Sequence, residues 1–233
     1  MRVLGVIPAR GGSKGIPNKN LHPLAGRSLL AYTADAAARS RRLSRVVLST
    51  DDHSIAEAGR ALGLEVPFMR PADLALDTSP MLPVLQHALA SLAAGGWEPE
   101  MVVLLQPTSP LRRAQHVREA VALLRETGAD SVVTVVEIPR QLSPDYVMRI
   151  DGGVLRPFLA EGARVTRRQD ARPAYSRDGT VYAFRRDTLE RYGTIYGEDC
   201  RPLIVDPSDS LSIDSPADWD AAERLLAARA TLR

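Results

Sequence analysis

Cysteine is nearly absent: Cys200 stands alone in 233 residues, which excludes a disulfide framework and a cysteine metal cluster. Histidine is sparse too, and His22, His53, His87 and His116 lack the spacing of metal ligands. No apolar run approaches the ~18 residues of a membrane-spanning helix. The first apolar stretch is too short, and interrupted too soon, for a signal peptide. The expectation is therefore a cytoplasmic protein with no membrane partner. Neither sign of charge prevails, with 30 Lys and Arg against 28 Asp and Glu. A net charge of +2 gives little reason to expect nucleic acid as a general partner. The densest basic stretch, 164–177, interleaves one aromatic, Tyr175, and matches no RNA-binding module.

What the chain does have begins at Val3. Val3-Leu4-Gly5-Val6-Ile7 reads as a buried strand stopped by Pro8. The loop that follows, Ala9-Arg10-Gly11-Gly12-Ser13-Lys14-Gly15-Ile16-Pro17-Asn18-Lys19-Asn20, sets three cations and two amides on a glycine-rich frame. Such a frame lets a ligand approach the backbone closely, and its successive N–H groups form an anion-binding concavity. It is neither a P-loop, which needs a closing Gly-Lys-Ser/Thr, nor a dinucleotide fingerprint, whose glycines are missing. A solvated basic turn is the plain alternative.

Periodicity and caps then predict a helix over about 28–40 with Ser28 as N-cap, a strand over 45–50 and a helix over 54–62. Residues 64–83 read as a long functional loop carrying two polar clusters. Further helices are expected at about 82–94, 114–127 and 215–226, with strands at 101–105, 131–136, 180–184 and 202–205. A β-hairpin is expected at 146–156, turning at Asp151-Gly152-Gly153. Strands alternating with helices imply βαβ units, so the ligand crevice should lie beyond the carboxyl ends of the strands. The loops at 10–20 and 106–112 would then face one cleft.

The loop residues Ile7 to Asn20 resemble the signature of the cytidylyltransferases that activate acidic sugars such as acylneuraminates. Ser49-Thr50-Asp51, Arg70-Pro71, Asp77-Thr78, Gln106-Pro107-Thr108-Ser109-Pro110-Leu111-Arg112 and Ile213-Asp214-Ser215 recur in order at similar spacing, so the likeness spans nearly the whole chain. The resemblance implies an α/β, Rossmann-like nucleotidyltransferase: one domain over 1–233, a mostly parallel central sheet flanked by helices, and a β-hairpin dimerisation insertion at about 140–175. It implies transfer of CMP from CTP to a hydroxyl of an acidic small-molecule acceptor, release of pyrophosphate, Mg²⁺ as cofactor, and a homodimer. Arg10, Lys14, Lys19 and Asp214 would be catalytic. Ala9, Arg10, Gly11, Gly12, Ser13, Lys14, Lys19, Asn20, Arg70 and Ser79 would bind nucleotide, Arg70 and Ser79 at the base. Gln106, Thr108, Ser109, Arg168 and Gln169 would hold the acceptor, and Asp214 the metal.

Two departures matter. Sialic-acid members typically show Asp-Ile-Asp where this chain has Ser212-Ile213-Asp214, so a metal ligand is lost or is replaced, with Asp51, Asp52 and Asp209 as candidates. A lone aspartate there resembles the branch that activates Kdo-like sugars. Where acylneuraminate members have Arg-x-Asn-Gly, this chain has Ser176-Arg177-Asp178-Gly179, which adds a negative charge on the acceptor side. A nine-carbon acidic sugar is the leading acceptor. The alternatives are a Kdo-like sugar, a small carboxylate or phosphonate, and a nucleotide-binding protein without turnover.

Overall fold

The computed structural model describes residues 1–13 and 15–231. Its frame is a six-stranded sheet of β1 (Val3–Pro8), β4 (Arg45–Ser49), β5 (Met101–Leu104), β6 (Ser131–Glu137), β9 (Tyr175–Arg185) and β10 (Cys200–Ile204). Their order across the sheet is β10-β6-β9-β5-β1-β4. Three of the five pairings are parallel: β1 runs parallel to β4 and β5, and β6 to β10, while β9 is antiparallel to both β5 and β6. The mostly parallel α/β sheet is as the alternation implies.

Side chains of the central strands alternate between two cores. Val3 and Ile7 join Met101, Val103 and Leu105 on one face. Leu4 and Val6 join Val102 and Leu104 on the other. The first face is covered by α1 (Leu29–Ser40), α2 (His53–Ala61) and α4 (Ala114–Thr127). The second is covered by α3 (Met81–Ala94) and α5 (Arg186–Tyr192), with Phe184 fully buried between them. Both faces being covered explains why the parallel strands are apolar throughout rather than alternating. A third, smaller cluster gathers Ile16, Leu24, Leu29, Ile213, Trp219 and Ala222. It packs α6 (Pro216–Thr231) and the short β2–β3 hairpin (Pro23–Leu24, Arg27–Ser28) beneath the glycine-rich loop.

The caps are largely as expected. Ser28 Oγ accepts from the Ala31 N–H at 3.1 Å and starts α1. Asp52 caps α2 one residue earlier than the expected start. At α6, Ser215 is joined by Asp218, which accepts the Ser215 N–H at 2.8 Å in a reciprocal capping box. Three features differ from expectation. The β2–β3 hairpin and α5 are additional. The strand expected at 180–184 is the second half of an 11-residue strand, β9. The stretch 164–177 is not a run of free charge, since Arg167 pairs with Asp170 and Arg172 with Asp145. Among the described residues, no helix is long and apolar enough to cross a membrane.

Within the 140–175 insertion, β7 (Met148–Asp151) and β8 (Val154–Pro157) form the expected hairpin. The insertion is anchored by one carboxylate. Asp145, 6% exposed, accepts from Arg172 through the backbone N–H at 3.0 Å and through Nε and Nη2 at 2.7 and 2.5 Å. These bonds hold its carboxyl down to about 2. A depressed carboxyl contributes stability that is complete above the ordinary carboxylate range and is lost as pH falls through the folded value. Lowering the pH from 5 to 2 should therefore speed hydrogen exchange across 140–175 more than in β1 or β5, after correction for intrinsic rates. Asp145→Asn should show the faster exchange already at pH 5. Equal exchange in wild type and variant would remove this anchor.

Candidate active site

Three segments meet beyond the carboxyl ends of β1 and β5. They are the 9–20 loop, the 106–112 loop and the 212–215 segment leading into α6. The third apolar cluster sets their distance, because Ile16 from the first segment and Ile213 from the last share it. Gly15 permits the closest approach: a Cβ there would lie 2.8 Å from the Asp214 carbonyl oxygen. Lys19 Nζ donates to the Ile213 carbonyl at 2.9 Å and lies 3.7 Å from Asp214 Oδ1. The Ile213 N–H donates to the Thr108 carbonyl at 2.8 Å. Residues 194 and 105 positions apart are thereby tied to one rim.

On the expected nucleotide side, the protein satisfies many of its own donors. Ala9 is buried, and its N–H donates to the Ser49 carbonyl at 3.0 Å. Arg10 reaches the 72–79 turn, donating to the Ala75 carbonyl at 3.4 Å and pairing with Asp77. Gly11 donates its N–H to Asp51 Oδ1 at 3.0 Å, so one donor of the expected anion cradle is held by a carboxylate. Asn20 is buried and turned inward, donating to the Arg10 carbonyl at 3.0 Å. It stiffens the loop rather than facing outward. Gly12 lines a cavity of about 430 Å³ with Arg10, Gly11, Asn18, His22 and Asp52. Ser13 follows in the same turn, and Lys14 lies outside the described residues. Arg70 is buried beneath the loop, donating from Nε to Ser49 Oγ at 3.0 Å and from Nη2 to the Ser49 carbonyl. Burial lowers its guanidinium to about 10, against the pull of Asp51. Ser79 Oγ braces the 72–79 turn, donating to the Asp73 carbonyl at 2.8 Å and accepting from the Leu76 N–H.

On the expected acceptor side, Gln106, Thr108 and Ser109 share one loop, shaped by Arg112. That guanidinium is buried and donates from Nε to the Thr180 carbonyl at 2.5 Å and from Nη1 to Thr33 Oγ1 at 3.1 Å. Nη2 donates to the Gln106 carbonyl. Burial lowers it to about 9, with Asp178 opposing. β9 is bulged here: the pairing skips from Val133–Tyr182 to Val135–Arg177, so 178–181 arch out of the ladder. Thr134 Oγ1 closes the arch, accepting from the Val181 N–H at 2.8 Å. The arch brings Gly179, at φ +78°, against Ser109 and Gln106; a Cβ there would lie 3.4 and 3.5 Å from their side-chain oxygens. Ser109 Oγ is buried and has no hydrogen-bond partner among the described residues. That orphaned hydroxyl is the strongest structural sign of a polar ligand at this loop.

The charge expected at Asp178 is not presented to the acceptor. Its carboxylate is buried, accepting from the Thr180 N–H at 3.1 Å and from Thr180 Oγ1. Arg177 leans on Tyr196 instead, its guanidinium 5.3 Å from the ring centre. Arg168 and Gln169 are exposed on a short turn packed near residues 140–142, and neither side chain bonds to the two loops. The structure does not bring this pair to Gln106.

Among the described residues, no group of three metal-ligating side chains exists. Asp214 is exposed at the rim, with Ser212 Oγ donating to its Oδ2 at 3.2 Å. The three candidate replacements for the missing aspartate have other work. Asp51 holds Gly11, and Asp52 caps α2. Asp209, 5% exposed, pairs with Arg113 and Arg229, with His116 Nε2 at 3.5 Å. Burial pushes the His116 imidazole below its ordinary value although Asp209 pulls it up.

Sequence reading leaves three determinants unassigned. Arg112 stands in a quoted motif, but nothing local marks it as buried. Asp77 pairs with Arg10 across 67 positions, and no period records that. Gly179 is a glycine whose positive φ the bulge requires. Arg112→Met would remove three hydrogen bonds from the buried guanidinium, so a loss of roughly 2–4 kcal/mol is expected in urea unfolding. Unchanged stability would sink the assignment of Arg112 as the strut.

A family profile described as cytidylyltransferase matches residues 4–231. The CMP-N,N'-diacetyllegionaminic acid synthase of Legionella pneumophila is 36% identical over 229 residues, covering 97% of this chain and 97% of that one. The N-acylneuraminate cytidylyltransferase of Escherichia coli is 30% identical over 223 residues, 95% of this chain and 51% of that protein. In fold, the chain is similar to a CMP:2-keto-3-deoxy-manno-octonic acid synthetase solved with CTP. The TM-score is 0.74 at 19% identity, over 98% of this chain and 100% of that one. By sequence, the chain belongs to the cytidylyltransferase family.

Proposed function

We propose that this protein transfers CMP from CTP to a hydroxyl of an acidic sugar of the nonulosonate class and releases pyrophosphate. The observation that carries the reading is the convergence of the glycine-rich loop, Lys19, Asp214 and the Gln106–Ser109 loop on one rim. The Legionella relative, which matches over 97% of both chains, is named for a CMP-activated acid of that class. In the reaction, the acceptor oxygen bonds to the α-phosphorus and the α–β phosphoanhydride bond breaks. The electron pair leaves with pyrophosphate, and the hydroxyl proton passes to solvent. Charge grows on the phosphate oxygens, so catalysis rests on positioned cations and backbone donors.

Arg10, Lys14, Lys19 and the Gly11–Ser13 backbone supply those groups. Binding would exchange internal partners for phosphate oxygens: Arg10 would leave Asp77, and Lys19 would turn from the Ile213 carbonyl. Such exchanges cost little, because each donor trades one acceptor for another. Gln106 and the Ser109 hydroxyl face the acceptor across Gly179, with Thr108 joining them to Asp214. Arg168 and Gln169 would act only if the 168–170 turn moves or serves a second copy of the chain. A lone exposed carboxylate fits Mg²⁺ held mainly by substrate phosphates. Asp214 would hold it, and the ion when bound would neutralise phosphate charge.

The exposed face of the insertion supports a homodimer. Met148, Ile150, Leu155 and Pro157 share one face of the hairpin by register. Ile150 is 78% and Leu155 62% exposed. An isolated apolar hairpin face is marginal in water and is best covered by a second copy.

Pyrophosphate release with CTP and Mg²⁺, across N-acetylneuraminate, legionaminate, pseudaminate, Kdo and small phosphonates, tests the reading. Release with one nine-carbon acid is the expected result. Release only with Kdo or a phosphonate would keep the nucleotide half and replace the acceptor, and no release would overturn the activity. Lys14→Ala should lower kcat by roughly 10²–10³-fold, the scale for removing one preorganised donor. Near-normal turnover in that variant would detach the loop from the phosphates. Asp214→Asn should shift the Mg²⁺ titration to higher concentration, whereas an unchanged titration would take Asp214 out of the metal site.

A further inference from the structure

A groove of about 1310 Å³ runs between α1, the start of α4 and the end of α6. It shares no lining residue with the cavity at the glycine-rich loop. The 106–112 loop divides the two: Gln106 and Ser109 face Gly179, while Pro110 to Arg113 wall the groove. Among the described residues, eight arginines line it against one carboxylate, Asp35.

Some of this charge is already answered. Arg113 and Arg229 share Asp209, Arg39 pairs with Asp35 at 3.5 Å, and Arg112 is the buried strut. Four guanidinia have no carboxylate partner among the described residues: Arg27, Arg41, Arg42 and Arg118. Two of the four are held in place. Arg27 stacks on Tyr32 at 4.8 Å, and Arg118 donates to the Arg39 carbonyl, at the end of α1, at 3.4 Å. Arg41 ends α1 in the left-handed region at φ +53°, where glycine or asparagine would be less strained. Like charges gathered around a concavity repel one another and destabilise the compact state unless an anion joins them.

We propose that this groove is a second anion site, taking a small, multiply charged phosphate compound such as a polyphosphate or nucleotide. Guanidinium forks match phosphate oxygens two at a time. The groove is too large for a single phosphate and exceeds the usual ~300–1,000 Å³ of a small-molecule pocket, which leaves room for several linked ones. Small apolar residues, Ala36, Pro110, Leu111 and Leu226, give it an uncharged floor. A single-stranded nucleic acid fits less well. Such sites stack successive bases on aromatic rings, and the only ring here, Tyr32, is covered by Arg27.

Calorimetric titration of the full chain with tripolyphosphate, without Mg²⁺, tests this. The wild type should bind two equivalents, one at each site. Arg41→Ala/Arg42→Ala, and separately Arg27→Ala/Arg118→Ala, should weaken one of them by about tenfold or more while pyrophosphate release from CTP stays within about twofold. Lys19→Ala should weaken only the other. A single class of sites that neither double variant alters would overturn the proposal. So would arginine-dependent binding of a DNA oligonucleotide in place of tripolyphosphate. Binding at the groove is read without turnover, so failure of the proposed reaction would leave this result standing.

Discussion

One buried cation organises the Gln106–Ser109 side of the rim. Arg112 joins three parts of the chain that come together only in the folded state: the loop after β5, the arch in β9 and the middle of α1. A guanidinium out of water is costly, and this one is tolerated because its nitrogens find three acceptors in the folded chain. Its planar fork also fixes angles as well as distances, which a lysine in its place would not. The Gln106–Ser109 loop therefore inherits its shape from the core. The glycine-rich side has a different support, the small cluster of Ile16, Ile213 and Trp219, which is apolar and sets distance without setting direction. Direction there comes from polar ties: Lys19 to the Ile213 carbonyl, Asn20 to the Arg10 carbonyl and Asp51 to the Gly11 N–H.

That division explains what could be read in advance. β1, β4 and β5 are covered on both faces and so spell themselves as continuous apolar runs. α1 and α4 announce themselves through a serine cap and an amphipathic period, and the observed bounds of α4 are those the period gives. The motif loops were legible because their glycines and cations are local. The first half of β9 was not, since Tyr175 to Asp178 is polar and its pairing with β6 depends on a bulge that no period encodes. α5 begins without a capping side chain, so it too left little trace.

At the site, the residue types were legible but their partners were not. Arg10 could be seen as a phosphate ligand, while Asp77, 67 positions away, could not be seen as its internal partner. Asp178 looked like an intrusive charge because sequence says nothing of orientation. The bulge turns it inward, where Thr180 and the field of Arg112 take it up. Asp209 looked like a spare metal ligand, and its surroundings make it the hub of a cationic cluster. In each case a long-range contact decides the role, and such contacts leave no mark on neighbouring residues.

β9 has one further consequence. It leaves the insertion at Tyr175, passes through the arch at 178–181 and ends between β5 and β6 in the middle of the sheet. From Tyr175 to Arg185 the chain is thus one strand, interrupted by the arch and clamped at its far end by two antiparallel ladders. Only three residues lie between Tyr175 and Gly179, too short a length of strand to absorb a displacement by bending. Whatever grips the insertion pulls on Gly179, and whatever fills the space beside Gly179 pushes back on the insertion. The packing of the insertion and the space beside Gly179 are then two readings of one coordinate, and a change in either is felt in the other.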